Sequence, residues 1–151
     1  MSVLENNSHS KVIGYILWIF GFMGAHRFYY GKPVTGLIWF FTFGLLGIGW
    51  IIDLFLIPSM DDEADNRFKE GKIDYSLAWI LLTFLGIFGA HRFYLGKWMS
   101  GLTMLVVSLS FFSIVVFFPP IFFGFPIVLI VVLIDFLTLN TQINEIHTSI
   151  Y

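Results

Sequence analysis

A nine-residue string occurs twice in this chain. Gly24-Ala25-His26-Arg27-Phe28-Tyr29-Tyr30-Gly31-Lys32 returns as Gly89-Ala90-His91-Arg92-Phe93-Tyr94-Leu95-Gly96-Lys97, identical at eight of nine positions and displaced by 65 residues. Gly21 and Gly86 keep the same displacement, as do Gly36 and Gly101. Each string lies between two apolar stretches, so the chain is a tandem of one module: apolar helix, GAHRFY turn, Gly-Lys, apolar helix. Repeats of this kind pack their helices against each other.

The apolar stretches decide the solvent. Four of them lack any Asp, Glu, Lys, Arg or His: Val12–Ala25, Pro33–Ile52, Tyr75–Ala90 and Trp98–Ile134, of 14, 20, 16 and 37 residues. A helix rises about 1.5 Å per residue and needs roughly 20 residues to cross the hydrocarbon layer. The second stretch is long enough, and the first and third cross only if their helices continue through the aromatic turn. The fourth is long enough for two crossings, broken at Pro119-Pro120 into Trp98–Phe118 and Ile121–Asn140, because adjacent prolines remove two backbone donors. Charged residues are 12% of the chain and hydrophobic ones 58%, against about 25% and about 45–50% in a soluble domain. The expected fold is an all-α integral membrane protein: two tandem transmembrane helical hairpins with five spans, four being the competing count.

The organisation follows. Residues 1–11 form a polar N-terminus, with the next apolar run read as a retained span and not a removed signal peptide. Residues 12–58 form the first hairpin, 59–75 an acidic, mixed-charge linker, 76–140 the second hairpin and 141–151 a polar tail. The second module carries about 17 extra residues after Gly101: Asp53 follows His26 by 27 positions, Asp135 follows His91 by 44. If the insertion is one extra crossing, Asp135 lies on the opposite side of the membrane from Asp53. With four spans it lies on the same side.

The GAHRFY-x-GK string, the glycine-rich second helix, Trp50 and Asp53, repeated through Asp135, resemble the two-transmembrane-helix (TM-two) domain family, present twice. The resemblance covers nearly the whole chain outside the linker and tails. It implies a fold and not a reaction, and, the family being widespread in bacteria, a bacterial inner membrane.

Particular residues carry the functional expectations. Arg27 and Arg92, with His26, Tyr29, Lys32, His91, Tyr94 and Lys97, stand at headgroup level. An arginine fork there suits an anionic lipid phosphate or a buried partner carboxylate; the plainer alternative is an interfacial anchor in an aromatic belt. Two histidines without further ligands make a poor metal site, and neither a metal nor another cofactor is expected. Asp53 and Asp135 end apolar helices. Asp53 lies ~26 Å beyond Gly36 by helical rise, at the far face from Arg27, with Lys11 as its nearer partner; an ion or proton site is the other reading. Gly21, Gly24, Gly31, Gly36, Gly86, Gly89, Gly96 and Gly101 serve turns and close helix packing.

Enzyme signatures such as G-x-S-x-G, H-E-x-x-H and a P-loop are absent from the sequence. A net charge of -2 offers no basic field for nucleic acid, and zero cysteines exclude disulfides and thiolate sites. The expected function is a non-catalytic interaction or lipid-organising module. Its partners are the bilayer, anionic lipid, a second copy or another membrane protein. A small oligomeric channel or transporter using Asp53 and Asp135 is the alternative. Both turns are expected on one face, with the N-terminus and linker on the other. The density of positive charge in the short turns points to the cytoplasm for the turns.

Overall fold

The structure is a computed structural model and describes residues 7–20, 24–117 and 125–149. Gly21 and the Pro119-Pro120 break lie outside those residues. All regular structure among the described residues is helical. The order is α1 (Lys11–Phe20), α2 (Ala25–Tyr29), α3 (Pro33–Leu46), α4 (Ile48–Arg67), α5 (Tyr75–Leu85), a 3-10 turn at Gly86–Phe88, α6 (Ala90–Tyr94), α7 (Trp98–Phe117) and α8 (Phe125–Thr148).

Each module is more folded than a two-helix hairpin. The GAHRFY string is a short helix that doubles back along the one before it. Gly24 and Gly89 make that reversal, at φ +78° and +73°, a region that L side chains avoid and glycine enters freely. A Cβ on Gly24 would also stand 2.8 Å from Trp39 Cβ and 3.2 Å from the Gly36 carbonyl. After Tyr29 the chain turns again, and Pro33 opens α3 at a position where its missing N–H costs nothing.

The second reversal is the one the sequence pattern conceals. Pro33–Ile52 is not a single crossing: Phe43, Gly44, Leu45 and Leu46 all take positive φ, and Gly47 follows at +85°. The chain folds back there, and α4 returns along α3 with Gly49 against Trp39. Two tryptophans fasten α1 to α4. Trp18 Nε1 donates to the Trp50 carbonyl at 2.8 Å and Trp50 Nε1 to the Trp18 carbonyl at 3.0 Å, with the rings stacked at 4.1 Å.

These reversals place the linker and the turns on the same side, contrary to the expected split. Lys32 Nζ donates to Glu63, and Arg67 Nη1 donates to the Gly31 carbonyl at 3.0 Å. Lys11 pairs with Asp62 at 3.2 Å, not with Asp53. The expectation assumed that each module crosses once between turn and linker. Because α2 runs back and α4 returns, the chain arrives where it started, and charge density in the turns no longer sets a sidedness.

Among the described residues one helix, Pro126–Thr148, is long and apolar enough to cross a membrane; Lys11–Phe20, Pro33–Leu46, Tyr75–Phe88 and Trp98–Ser110 are shorter apolar helices. Five spans are not shown. The buried centre holds Leu17, Tyr29, Tyr30, Ile57, Trp79, Leu82, Leu139 and Ile143. Phe41, Leu46, Ile48, Phe55, Trp98, Met99 and Ile127 are turned outward, an apolar exterior of the kind that marks a membrane or protein contact surface.

Candidate functional site

The doubling-back of α2 and the return of α4 bring one cluster together. Arg27 Nε donates to Asp53 Oδ2 at 2.8 Å and its Nη2 donates to Oδ1, a bidentate pair. His26 Nε2 donates to the same Oδ2 at 2.7 Å. The His26 and Asp53 side chains are fully buried, and the Arg27 side chain is 9% exposed. The Arg27 guanidinium also lies over the Trp39 ring, 3.6 Å from its centre, a cation–π contact strengthened by desolvation.

The second copy repeats the cluster. Arg92 Nε donates to Asp135 Oδ2 at 2.9 Å, Arg92 Nη2 to Oδ1 at 2.8 Å, and His91 Nε2 to Oδ2 at 2.9 Å. The Arg92 side chain is 19% exposed, twice the value of Arg27. Met104 stands where the first copy has Trp39 and packs on Gly89, so Arg92 lacks the indole lid.

One expectation is therefore corrected. Asp53 is not at the far face from Arg27, because residues 48–53 fold back past the reversal at Phe43–Gly47. Asp135, expected opposite Asp53 with five spans and on the same side with four, meets Arg92 as Asp53 meets Arg27. The buried-carboxylate reading of the arginines, with the carboxylate supplied by the same module, is what the geometry contains.

The remaining predicted residues divide cleanly. The Tyr29 and Tyr94 hydroxyls each accept the backbone N–H just ahead of their module's first helix, from Ser10 at 2.7 Å and Asp74 at 2.9 Å. Lys32 and Lys97 end at the polar face, Lys97 Nζ donating to Gln142 at 2.6 Å. Gly36 and Gly101 lie under the Phe28 and Phe93 rings. Gly31 and Gly96 carry the second turn at positive φ, and Gly86 begins the 3-10 turn.

Sequence reasoning missed Asn140. Its amide nitrogen donates to the Phe28 and Tyr29 carbonyls at 3.1 and 2.9 Å, and its oxygen accepts from Trp79 Nε1 at 2.6 Å. This residue of the second module ties down the end of α2 in the first. Its neighbours Thr138, Thr141 and Gln142 are polar too, so nothing in the sequence set Asn140 apart from the polar end of α8.

The family model for the TM2 domain matches twice, at residues 7–55 and 71–119, together more than half of the chain. The chain belongs to the TM2 domain family. The first TM2 match includes Asp53, whereas the second ends short of Asp135, so the second cluster is closed by a residue outside the matched segment. A TM2 domain-containing protein of Dictyostelium discoideum is 42% identical over 60 residues, 39% of this chain and 39% of the relative. Another from that organism is 46% identical over 54 residues, 35% of this chain and 39% of the relative. TM2 domain-containing protein 1 of Homo sapiens is 46% identical over 52 residues, 34% of this chain and 25% of the relative. The chain thus spans less than half the length of these relatives. No solved structure matches. These relatives are eukaryotic, so the expected bacterial inner membrane is unsupported, while the membrane character stands.

Proposed function

We propose that this chain is a non-catalytic membrane interaction module, in which each TM2 copy is a scaffold closed by its own buried His–Arg–Asp cluster. One observation carries the reading. Both arginines of the repeated motif have their forks filled by a carboxylate of the same module. A guanidinium so engaged is not available to grip a lipid phosphate. The motif therefore shapes the module, and the outward apolar faces and the polar ends meet other molecules. Anionic-lipid organisation is the weaker form of the reading, with Lys32 and Lys97 at the polar ends as the remaining cations of the turns.

The test is native mass spectrometry of the protein released from a gentle detergent. A retained protein partner or a second copy is the expected result. A bare monomer, or retention of anionic lipid alone, would overturn the interaction form.

A second reading, a small oligomeric channel or transporter using Asp53 and Asp135, is favoured by one detail. His26 Nδ1 and His91 Nδ1, the same atom in both copies, are buried without a hydrogen-bond partner among the described residues. Buried ionisable groups in apolar segments are pathway candidates by default. Proton or cation flux in liposomes, abolished by Asp53→Asn, is the observation that would move the function there.

A further inference from the structure

The polar end of the fold holds a cavity of about 720 Å³, between the start of α1, Asp61 of α4 and the segment that leads into α5. Its size is that of a small-molecule site. None of the six residues of the two His–Arg–Asp clusters lines it. Three residues of its wall are buried polar groups: His9 is 4% exposed, Asp61 5% and Tyr75 1%. His9 Nε2, Asp61 Oδ1 and the Tyr75 hydroxyl have no hydrogen-bond partner among the described residues. Each such atom has lost its water without recovering a bond. Three of them around one cavity point to a ligand that satisfies them.

The hydrogen bonds at His9 say what that ligand must offer. The Ser8 hydroxyl gives its one proton to Asp65 Oδ1, at 3.0 Å. The 2.9 Å contact between His9 Nδ1 and Ser8 Oγ is then a donation from the ring. Burial keeps the imidazole neutral, lowering its pKa to about 4 against the pull of Asp65. A neutral ring with its proton on Nδ1 presents a bare lone pair at Nε2. Asp61 Oδ1 is an acceptor too, and the Tyr75 hydroxyl accepts as readily as it donates. The unmet demand is for donors.

The charges around the cavity agree. Glu70 and Asp74 also line it, and its one lysine, Lys11, is paired with Asp62 at 3.2 Å. An anion is therefore repelled. A metal ion is poorly served, because no group of three or more His, Cys, Asp or Glu side chains is placed to hold one among the described residues. Val12, Ile13 and Ile73 add apolar wall, and the His9 and Tyr75 rings stand 4.8 Å apart.

We propose that this cavity binds a primary ammonium ion on a short apolar stem, whether a free amine or the headgroup of an aminophospholipid. The ammonium has three protons to donate, and Asp61 Oδ1, His9 Nε2 and the Tyr75 hydroxyl are three acceptors for them. The stem lies against Val12, Ile13 and Ile73. This site does not depend on the interaction reading above.

The test titrates the full chain, in phosphatidylcholine nanodiscs at pH 7.5, with n-propylammonium and follows the backbone amide resonances by NMR. Saturable shifts at His9, Asp61 and Tyr75 are expected, with none for n-propanol, which lacks the charge. Asp61→Asn should weaken binding roughly 10-fold or more and Tyr75→Phe several-fold, because hydrogen bonds involving an ionised group are the stronger class. Tyr75→Phe removes only a hydroxyl that has no partner among the described residues, so its melting temperature should match the parent's and its weaker binding is not lost folding. Phosphatidylethanolamine mixed into the discs separates the two sources. Competition with n-propylammonium assigns the site to the lipid headgroup, and the absence of competition assigns it to a free amine. Shifts that do not saturate, an equal response to n-propanol, displacement by the same concentration of sodium or calcium chloride, or unchanged affinity in both variants overturns the ammonium site.

Discussion

Asp53 stands 26 positions beyond Arg27 and accepts hydrogen bonds from it at both carboxylate oxygens. The pair, with His26 on the same carboxylate, sits in an apolar interior and recurs at Arg92 and Asp135. Two charges in such a place are weak evidence of added stability, because desolvation offsets their attraction, but breaking one partner leaves the other charge exposed to a low dielectric.

Asp53→Asn should therefore destabilise the protein by about 3–5 kcal/mol, the range for stranding a buried charge. Asp135→Asn should cost less, because the Arg92 side chain is more open than that of Arg27. Thermal unfolding in detergent followed by tryptophan fluorescence gives the order. The double change Arg27→Met with Asp53→Leu should be milder than Asp53→Asn alone; additive losses would show that the pair is not the coupled unit described.

Asn140→Leu removes two donors from the Phe28 and Tyr29 carbonyls and an acceptor from Trp79. The cost should be roughly 1–3 kcal/mol, the range for leaving buried groups unsatisfied. It should also loosen one module from the other, seen as faster amide exchange in Tyr29–Lys32 with Arg92–Lys97 unchanged. Equal change at both turns would mean that Asn140 acts on the whole fold.

Gly31→Ala and Gly96→Ala share a left-handed backbone, at φ +70° and +75°, and hence a common penalty of about 1 kcal/mol or slightly more. Only Gly31→Ala also drives a methyl into the Phe68 ring. It should be the more damaging of the two in thermal unfolding, and near-equal losses would show that the first turn is not sealed by Phe68.

The polar end carries two opposed titrations. Burial pushes the His9 imidazole down to about 4, against the pull of Asp65. Burial, then the Asp65 carboxylate, pushes Asp61 up to about 6. A histidine with a lowered folded pKa loses stability as pH falls from about 6.5 to about 4, where the unfolded chain takes up the proton first. An aspartate with a raised folded pKa loses stability as pH rises from about 3.9 to about 6, where the unfolded chain ionises first. The two slopes cancel in part. His9→Gln should unmask stability that falls between pH 4 and 6, and Asp61→Asn stability that rises over the same window. Melting temperatures at pH 4.5, 5.5 and 7 check this, and parallel curves for both variants would refute it.

The duplication, the family and the membrane character were legible in the residues, because the HRFY string and the charge-free stretches are local patterns. The members of both clusters were legible as types as well: His26, Arg27 and Asp53, with His91, Arg92 and Asp135, are the few ionisable groups beside apolar runs. Their pairing was not. Helical rise carried Asp53 away from Arg27 because nothing in Phe40-Phe41-Thr42-Phe43-Gly44-Leu45-Leu46 marks a reversal against a continuous helix. Asn140 was hidden for a related reason, since its partners are carbonyls 111 and 112 positions away.

The sequence by itself determined that this chain is two copies of one apolar module carrying a charged, aromatic turn. Only the tertiary structure decided which carboxylate meets which arginine and which of the two arginines is the more deeply covered. The physical reason is that periodicity and composition are properties of neighbours along the chain. In an almost uniformly apolar run, no polar face records where the helix turns back, and separation in sequence becomes distance in space only once that turn is in place.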